Sequence, residues 1–382
     1  MDDLVFVSAQ PDSTYFHWQV ELYLYQFSKH GIKDKCYAIF GYTDKPSDYI
    51  IGLSKSYNVV WYKDERKSKT YVPSIRPHLL YKFFKDRPEL GKRVFYHDSD
   101  IFFVKLPKFE LMLDDVGYVS DTISYIGYNY IKECSERYKK KYPELPDNDL
   151  VHEMCECMDI CEELVKENES NSGGAQYILR DIDCNFWETI EVSCNKLYNM
   201  LKKYEEKYPI DHHIQSWTTD MWCVLWEYWK LGRETRIHSE LDFSWGVGTV
   251  NDYNSRNIFH LAGVTSQHSK TMFYKGAYNN KNPIDAYRIN NTVFDYISKT
   301  NATIEYINIL KEYAKNNTLE IKNQHWKGVY TFDGKVWRSE DGKYLIFWNS
   351  KNWIVTASQY ESEISPTCGG FISYESLQEF MH

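Results

Sequence analysis

Two rhythms of apolar residues alternate along the chain. Leu4–Ser8 (LVFVS) is a short continuous apolar run of the kind that forms a buried strand. Thr14–His30 follows with helical spacing, placing Phe16, Leu22, Tyr23 and Phe27 near one face. Lys29 and His30 fall in its last turn and Gly31 ends it. Cys36–Tyr42 and Asn58–Tyr62 read as further strands and Arg76–Asp86 as a helix. Arg93–His97 (RVFYH) reads as a strand running straight into Asp98. Strands alternating with helices predict an α/β domain on a doubly wound, mostly parallel sheet. Ligands of such sheets lie beyond the carboxyl ends of the strands.

Downstream, Ile131 to Asn168 is charged and helical. Ser172-Gly173-Gly174 breaks that stretch, and Ala175–Leu179 resumes a strand. Val192–Lys207 and Asp220–Lys230 read as helices, and residues 294–322 as a polar, helical bridge. After Gln324 the pattern shortens to Val329–Thr331, Lys335–Arg338, Tyr344–Trp348 and Trp353–Thr356, punctuated by Gly334, Gly342 and Asn349–Asn352. The expected division is a main domain at 1–290, a helical bridge at 291–324 and a small β module at 325–382. A chain ending near residue 323 is expected to fold.

Composition narrows the classes of function. The net charge of −9 over 382 residues argues against a general nucleic-acid binder, which needs clustered Lys and Arg. Nine cysteines, an odd number without disulfide-like spacing, and the lack of any 18-residue apolar run lead to the expectation of a reduced, cytoplasmic protein with no membrane span. The 33 tyrosines and 12 tryptophans suit stacking on sugar rings and filling a core equally well.

The central motif is Asp98-Ser99-Asp100. Acidic triplets arise by chance in a chain with 54 Asp and Glu, and Asp181-Ile182-Asp183 is another. Only the first follows an apolar strand directly and precedes a second apolar run, Ile101-Phe102-Phe103. Its carboxylates therefore fall at the ligand edge of the sheet, where hard oxygen ligands suit Mn²⁺ or Mg²⁺. Ile258-Phe259-His260 leads a second strand to an imidazole that can complete such a site, and Gly263 permits close backbone approach. Lys270 and Lys275 follow as candidates to face a diphosphate.

Three further segments bring polar groups to element ends. Asp121 follows the strand at Tyr118. Asn171–Gln176 (NSGGAQ) reads as a tight turn where backbone approaches a ligand. Asp220 falls at a helix start, where an N-cap is the commoner role. His152, Cys155, Cys157 and Cys161 match no usual zinc spacing and read as one helix of reduced cysteines. There is no Walker loop, nucleophile elbow or dinucleotide fingerprint.

Taken in order, the first strand, Tyr15-x-x-Trp18-Gln19, Arg76-Pro77, Asp98-Ser99-Asp100 and Ser172-Gly173-Gly174 resemble the plant hydroxyproline O-arabinosyltransferases and the related peptidyl serine galactosyltransferases, over about residues 4–280. The resemblance implies a GT-A fold, a UDP-sugar donor, Mn²⁺ and transfer with retention to a glycan or glycoprotein acceptor. The wider retaining GT-A group, glycogenin-like enzymes included, has a similar metal pair and a late His-x-x-Gly. By that resemblance Asp98, Asp100 and His260 hold the metal. Ser8, Ala9, Gln10, Tyr15 and Arg76 flank the nucleotide, and Ser99, Gly173, Gly263, Lys270 and Lys275 line the donor site. Asp121, Asn171, Gly174 and Asp220 face the sugar, Asp121 and Asp220 being the catalytic candidates. Two departures stand out: the plant enzymes are membrane-anchored, and the late motif here lacks the usual Lys-Pro-Trp ending. A nucleotidyltransferase or nucleotide-sugar hydrolase on a similar scaffold is one alternative. The residues Gln10-Pro11-Asp12-Ser13 lack the Gly-rich basic loop that a nucleotidyltransferase wants. A non-catalytic carbohydrate-binding protein is the other alternative.

Overall fold

The computed structural model describes residues 3–316, 318–321, 328–333, 336–348, 353–357 and 370–372. Its strands are β1 (Leu4–Pro11), β2 (Cys36–Tyr42), β3 (Asn58–Lys63), β4 (Arg93–His97), β5 (Ile101–Phe103), β6 (Gly117–Asp121), β7 (Gly173–Arg180), β8 (Thr235–Ile237), β9 (Phe243–Trp245) and β10 (Ile258–His260). Beyond them come β11 (Thr318–Ile321), β12 (Gly328–Phe332), β13 (Trp337–Ser339), β14 (Tyr344–Trp348), β15 (Trp353–Ala357) and β16 (Gly370–Ile372).

Seven strands form the central sheet in the order β3-β2-β1-β4-β7-β6-β8. The pairings β1–β2, β2–β3, β1–β4 and β6–β8 are parallel, and those of β7 with β4 and β6 antiparallel. The fold is thus mixed α/β with a mostly parallel sheet. Alternation along β1 sorts its residues between two cores, as a strand covered on both faces requires. Leu4 and Phe6 join Trp18, Leu22, Tyr23 and Phe27 of the helix Thr14–Ser28. Val5, Val7 and Ala9 join Leu79 and Phe83 of the helix Ile75–Asp86 and Trp187 and Ile190 of the helix Cys184–Lys207. The chain runs outward from β1 to β2 and β3, then returns to place β4 on the other side of β1. The strand order reverses there, and the crevice beyond the ends of β1 and β4 is where such sheets take ligands.

A second, three-stranded sheet, β5-β10-β9, fixes the site. β10 runs antiparallel to β5 with His260 opposite Ile101, and the Leu261 N–H donates to the Asp100 carbonyl at 3.0 Å. That register carries His260 to the residue next to Asp100.

Several local expectations change. β1 runs on to Pro11, so Gln10 and Pro11 belong to the strand rather than to a loop. The stretch Asn171–Gln176 is not a tight turn: Asn171 ends a short 3₁₀ turn, and Gly173 and Gly174 open β7. A Cβ on Gly173 would stand 2.1 Å from the Ser120 carbonyl oxygen, so the glycine answers to the close approach of β6. The His152–Cys161 stretch is not one helix; the helix Asp149–Met158 ends at Asp159 in left-handed conformation and another begins at Glu162. Residues 294–322 hold the helix Thr303–Asn316 and then β11. Tyr306, Ile307 and Leu310 of that helix are fully buried in the core beside Trp18 and Phe102, so it is not polar all round. Strands β11 to β16 form an antiparallel sheet in sequence order, from which Tyr330, Phe332, Trp337 and Ile346 reach the same core. The Trp348 and Trp353 side chains lie outside the described residues. The eight described cysteines are free.

Candidate functional site

Asp98, Asp100 and His260 converge at the end of β4, with one ligand atom from each lying within 4.8 Å of the others. His260 Nε2 stands 3.5 Å from Asp98 Oδ2 and 3.3 Å from Asp100 Oδ1. Asp100 and His260 are buried and Asp98 is partly open. His260 Nδ1 is buried without a hydrogen-bond partner, and Trp245 stacks on the ring at 6.0 Å. Ser99, between the two acids, is buried. The triplet Asp181-Ile182-Asp183 does different work: Asp183 caps the helix Cys184–Lys207, accepting from the Phe186 N–H at 3.0 Å.

Two cations balance these acids. Lys275, on a 3₁₀ turn at Lys275–Tyr278, pairs with Asp100 Oδ2. Burial pushes the Asp100 carboxyl up, but Lys275 and His260 outweigh it and hold it well below the usual carboxylate range. Burial likewise pulls Lys275 down, and Asp100 with Tyr15 reverses it upward. Arg76, in the first turn of its helix, lies 2.7 Å from Asp98 Oδ1 and 3.3 Å from Asp220 Oδ2. Burial works against the Arg76 charge, and Asp98, Tyr96 and Asp220 together raise its pKa well above the ordinary value.

Asp220 is not an N-cap. It sits one residue inside the helix Thr219–Lys230, and its carboxylate faces Arg76 and Tyr71. The Tyr71 hydroxyl lies 2.8 Å from Asp220 Oδ1 and 2.8 Å from the Trp217 carbonyl oxygen, and accepts from the Asp220 N–H at 3.0 Å. Burial raises the Asp220 carboxyl, Arg76 and Tyr71 oppose it, and the net shift is upward. Tyr71 carries no sequence signal of its own, being one tyrosine among 33.

The remaining candidates divide. Tyr15 lies close enough to Lys275 for the ammonium to lower its hydroxyl pKa against the dominant rise from burial. Ser8 and Gln10 are buried in β1, Ser8 bonded to the Tyr23 hydroxyl at 2.7 Å and Gln10 to the Ile39 carbonyl at 3.0 Å. Gln10 Oε1 has no partner. Asp121 is exposed at the end of β6 and accepts from the Ile123 N–H at 3.2 Å. Tyr125 feels both Asp98 and Asp121. Asn171 is turned to Asn168, its amide 3.3 Å from Oδ1 of that residue. Gly263 has φ +83°, which explains a glycine after His260. Lys270 is exposed, and the cation at Asp100 is Lys275.

No helix among the described residues is long and apolar enough to cross a membrane. No family model matches the sequence, and no curated protein matches it. Solved structures that resemble it include the bifunctional glycosyltransferase WbbM in its apo form, 11% identical with a TM-score of 0.38 over 80% of this chain and 51% of that one. The galactosyltransferase LgtC, complexed with donor and acceptor sugar analogues, is 10% identical with a TM-score of 0.33 over 68% of this chain and 87% of that one. The glycosyltransferase GlyE of Streptococcus pneumoniae TIGR4 is 12% identical with a TM-score of 0.38 over 81% and 62%. This chain therefore spans about half of WbbM and less than two thirds of GlyE.

Proposed function

We propose that the chain is a glycosyltransferase of GT-A type that moves a sugar from a nucleotide-sugar, UDP-linked, to a hydroxyl of a glycan or glycoprotein. The observation that carries this reading is the meeting of Asp98, Asp100 and His260 at the switch point of the sheet, between the cations Arg76 and Lys275. Two carboxylates and an imidazole fit Mn²⁺ or Mg²⁺ as ligands, and the Mn²⁺ class suits the nitrogen better. His260 Nε2 faces both carboxylates, 3.5 Å from Asp98 Oδ2 and 3.3 Å from Asp100 Oδ1, which is the placement a shared ion needs. A bound ion would supply positive charge to a departing diphosphate.

The chain's residues do the rest. Arg76 and Lys275 bring two cations to the edge where a diphosphate would lie, and they pair with the acids until it arrives. Tyr15 and the end of β1, with Ser8, Ala9 and Gln10, border the nucleotide side; Ser99, Gly173 and Gly263 line the donor site. Asp220, held by Tyr71 and Arg76, and Asp121 at the mouth offer carboxylates to sugar hydroxyls, with Asn171 and Gly174 beyond them. The acceptor hydroxyl forms the new bond at the anomeric carbon on the face the diphosphate leaves. The old C–O bond breaks with its electron pair on UDP, and a diphosphate oxygen takes the hydroxyl proton. Retention without a protein nucleophile is in keeping with the ordered motifs that resemble the arabinosyl- and galactosyltransferases. The same reading places the protein in the cytoplasm, with the catalytic residues within 1–290 and the helix Thr303–Asn316 and strands β11 to β16 packed on the core of that region rather than set apart as a bridge and a module.

Incubation with a panel of nucleotide-sugars and Mn²⁺, followed by assay of released nucleotide, tests the reading. Slow hydrolysis of one UDP-sugar, abolished by chelation, is the expected result. Absence of turnover and of binding for every donor would remove the reading.

A further inference from the structure

Two short turns flank the Arg76–Asp220 pair, and each exposes one large apolar side chain. The turn Val72–Ser74 leads into the helix that carries Arg76 and leaves Val72 62% exposed. The turn Ser216–Thr218 leads into the helix that carries Asp220 and leaves Trp217 62% exposed. Tyr71 ties the two together, since its hydroxyl reaches both the Trp217 carbonyl and the Asp220 carboxylate.

The backbone around Trp217 is pinned. Ser216, Thr218 and Thr219 are buried; the Thr218 hydroxyl donates to the Gln215 carbonyl at 2.7 Å and the Thr219 hydroxyl to the Ser216 carbonyl at 2.6 Å. The indole is thus held in water by a fixed turn, against the gain that burying so large an apolar surface would bring. Trp222, Trp226 and Trp229, on the helix that follows, are all buried.

A line of ion pairs runs from Asp220 through Arg76 to Asp98, His260, Asp100 and Lys275. The metal-type ligands lie in that line beyond Arg76, and Asp220, three residues after Trp217, begins it. A pyranose ring presents a face of C–H groups to an aromatic plane while its hydroxyls point outward to carboxylates. Trp217 precedes Asp220 by three residues where the turn Ser216–Thr218 runs into the helix, so the exposed indole and the Asp220 carboxylate rise from the same turn.

We propose that Trp217 is the stacking surface for the acceptor sugar ring, with Val72 on the adjoining turn; this rests on the glycosyl-transfer reading above. The test is saturation-transfer NMR on the full chain with UDP and Mn²⁺ present, using methyl glucosides, galactosides, mannosides and xylosides as probes. At least one glycoside binds the parent. Trp217→Ala weakens it roughly tenfold and Trp217→Phe restores most of the loss. Leu231→Ala, which trims a 58% exposed apolar side chain at the far end of the same helix, leaves it unchanged. The proposal is overturned if no glycoside binds, or if Trp217→Ala binds as the parent does. Calorimetry of UDP with Mn²⁺ on the same samples separates the two claims. Trp217-dependent sugar binding without UDP binding sinks the transferase reading alone; UDP binding with Trp217-independent sugar binding sinks only the stacking role.

Discussion

Arg76 holds Asp98: one guanidinium nitrogen lies 2.7 Å from Asp98 Oδ1 while also standing 3.3 Å from Asp220 Oδ2. The two carboxylates come from the end of β4 and from the helix Thr219–Lys230, and Asp98 raises the Asp220 carboxyl. Removing the arginine leaves like charges facing each other without a counter-ion. Arg76→Ala is expected to lower stability by about 2 kcal/mol, the scale of a charged hydrogen bond. Urea unfolding checks this, and a midpoint equal to the parent's would show that the bridge contributes nothing.

Lys275 and Asp100 are 175 residues apart and form the partner pair at the other end of the site. Lys275→Met leaves Asp100 free to bind a metal ion but removes a cation from the diphosphate side. Mn²⁺ affinity without nucleotide is therefore expected to stay level or rise, while UDP affinity with Mn²⁺ falls roughly tenfold. Equal losses of both in calorimetry would mean that the lysine merely supports the fold.

His97 gives a pH signature. Its ring is packed against Tyr23, Phe27 and Phe95, and burial pulls its pKa from 6.5 down to about 4 despite the nearby Asp98 carbonyl and charge. Between pH 6.5 and 4 the unfolded chain takes up a proton that the folded chain does not. Stability therefore falls as pH drops through that window, by on the order of 3 kcal/mol at its lower end, and is untouched above it. His97→Phe should flatten this part of the stability curve. An identical fall from pH 7 to pH 5 in parent and variant would place the titration elsewhere.

Residues whose role follows from the strand they end were legible in the sequence. Cys36–Tyr42 and Arg93–His97 match their strands residue for residue because continuous apolar runs bury both faces. Asp98 and His260 follow from strands that stop where charge begins. What depends on long-range packing was not legible. Asp220 has the residue type and place of a cap, yet faces Tyr71 and Arg76 from other elements. The two glycines of Ser172-Gly173-Gly174 have the composition of a turn, while their Cβ positions are filled by the Ser120 backbone and by Tyr177. The helix Thr303–Asn316 has enough charge to suggest a solvated bridge, but its apolar stripe closes the core over Phe102.

That closure bears on truncation. Tyr330, Phe332, Trp337 and Ile346 are buried in the main core, and Arg288 lies over the Trp337 ring at 5.0 Å. Each large apolar side chain buried is worth roughly 2 kcal/mol, and the net stability of a domain is only about 5–15 kcal/mol. The sequence leads one to expect that a chain ending near residue 323 folds; with these side chains in the core, such a chain is expected instead to unfold at a clearly lower temperature than the full chain or to aggregate. An unchanged melting temperature would show that the C-terminal sheet is energetically separate.

Calorimetric titration of UDP in the presence and absence of Mn²⁺, on the parent, Asp100→Asn and His260→Ala, tests the central claim most directly. The account predicts UDP binding that requires Mn²⁺ in the parent and weakens about a hundredfold in Asp100→Asn. His260→Ala should lose at least tenfold, with each variant still folded by circular dichroism. Folded variants that bind UDP and Mn²⁺ as tightly as the parent, or a parent that binds UDP equally well without the metal, would contradict it.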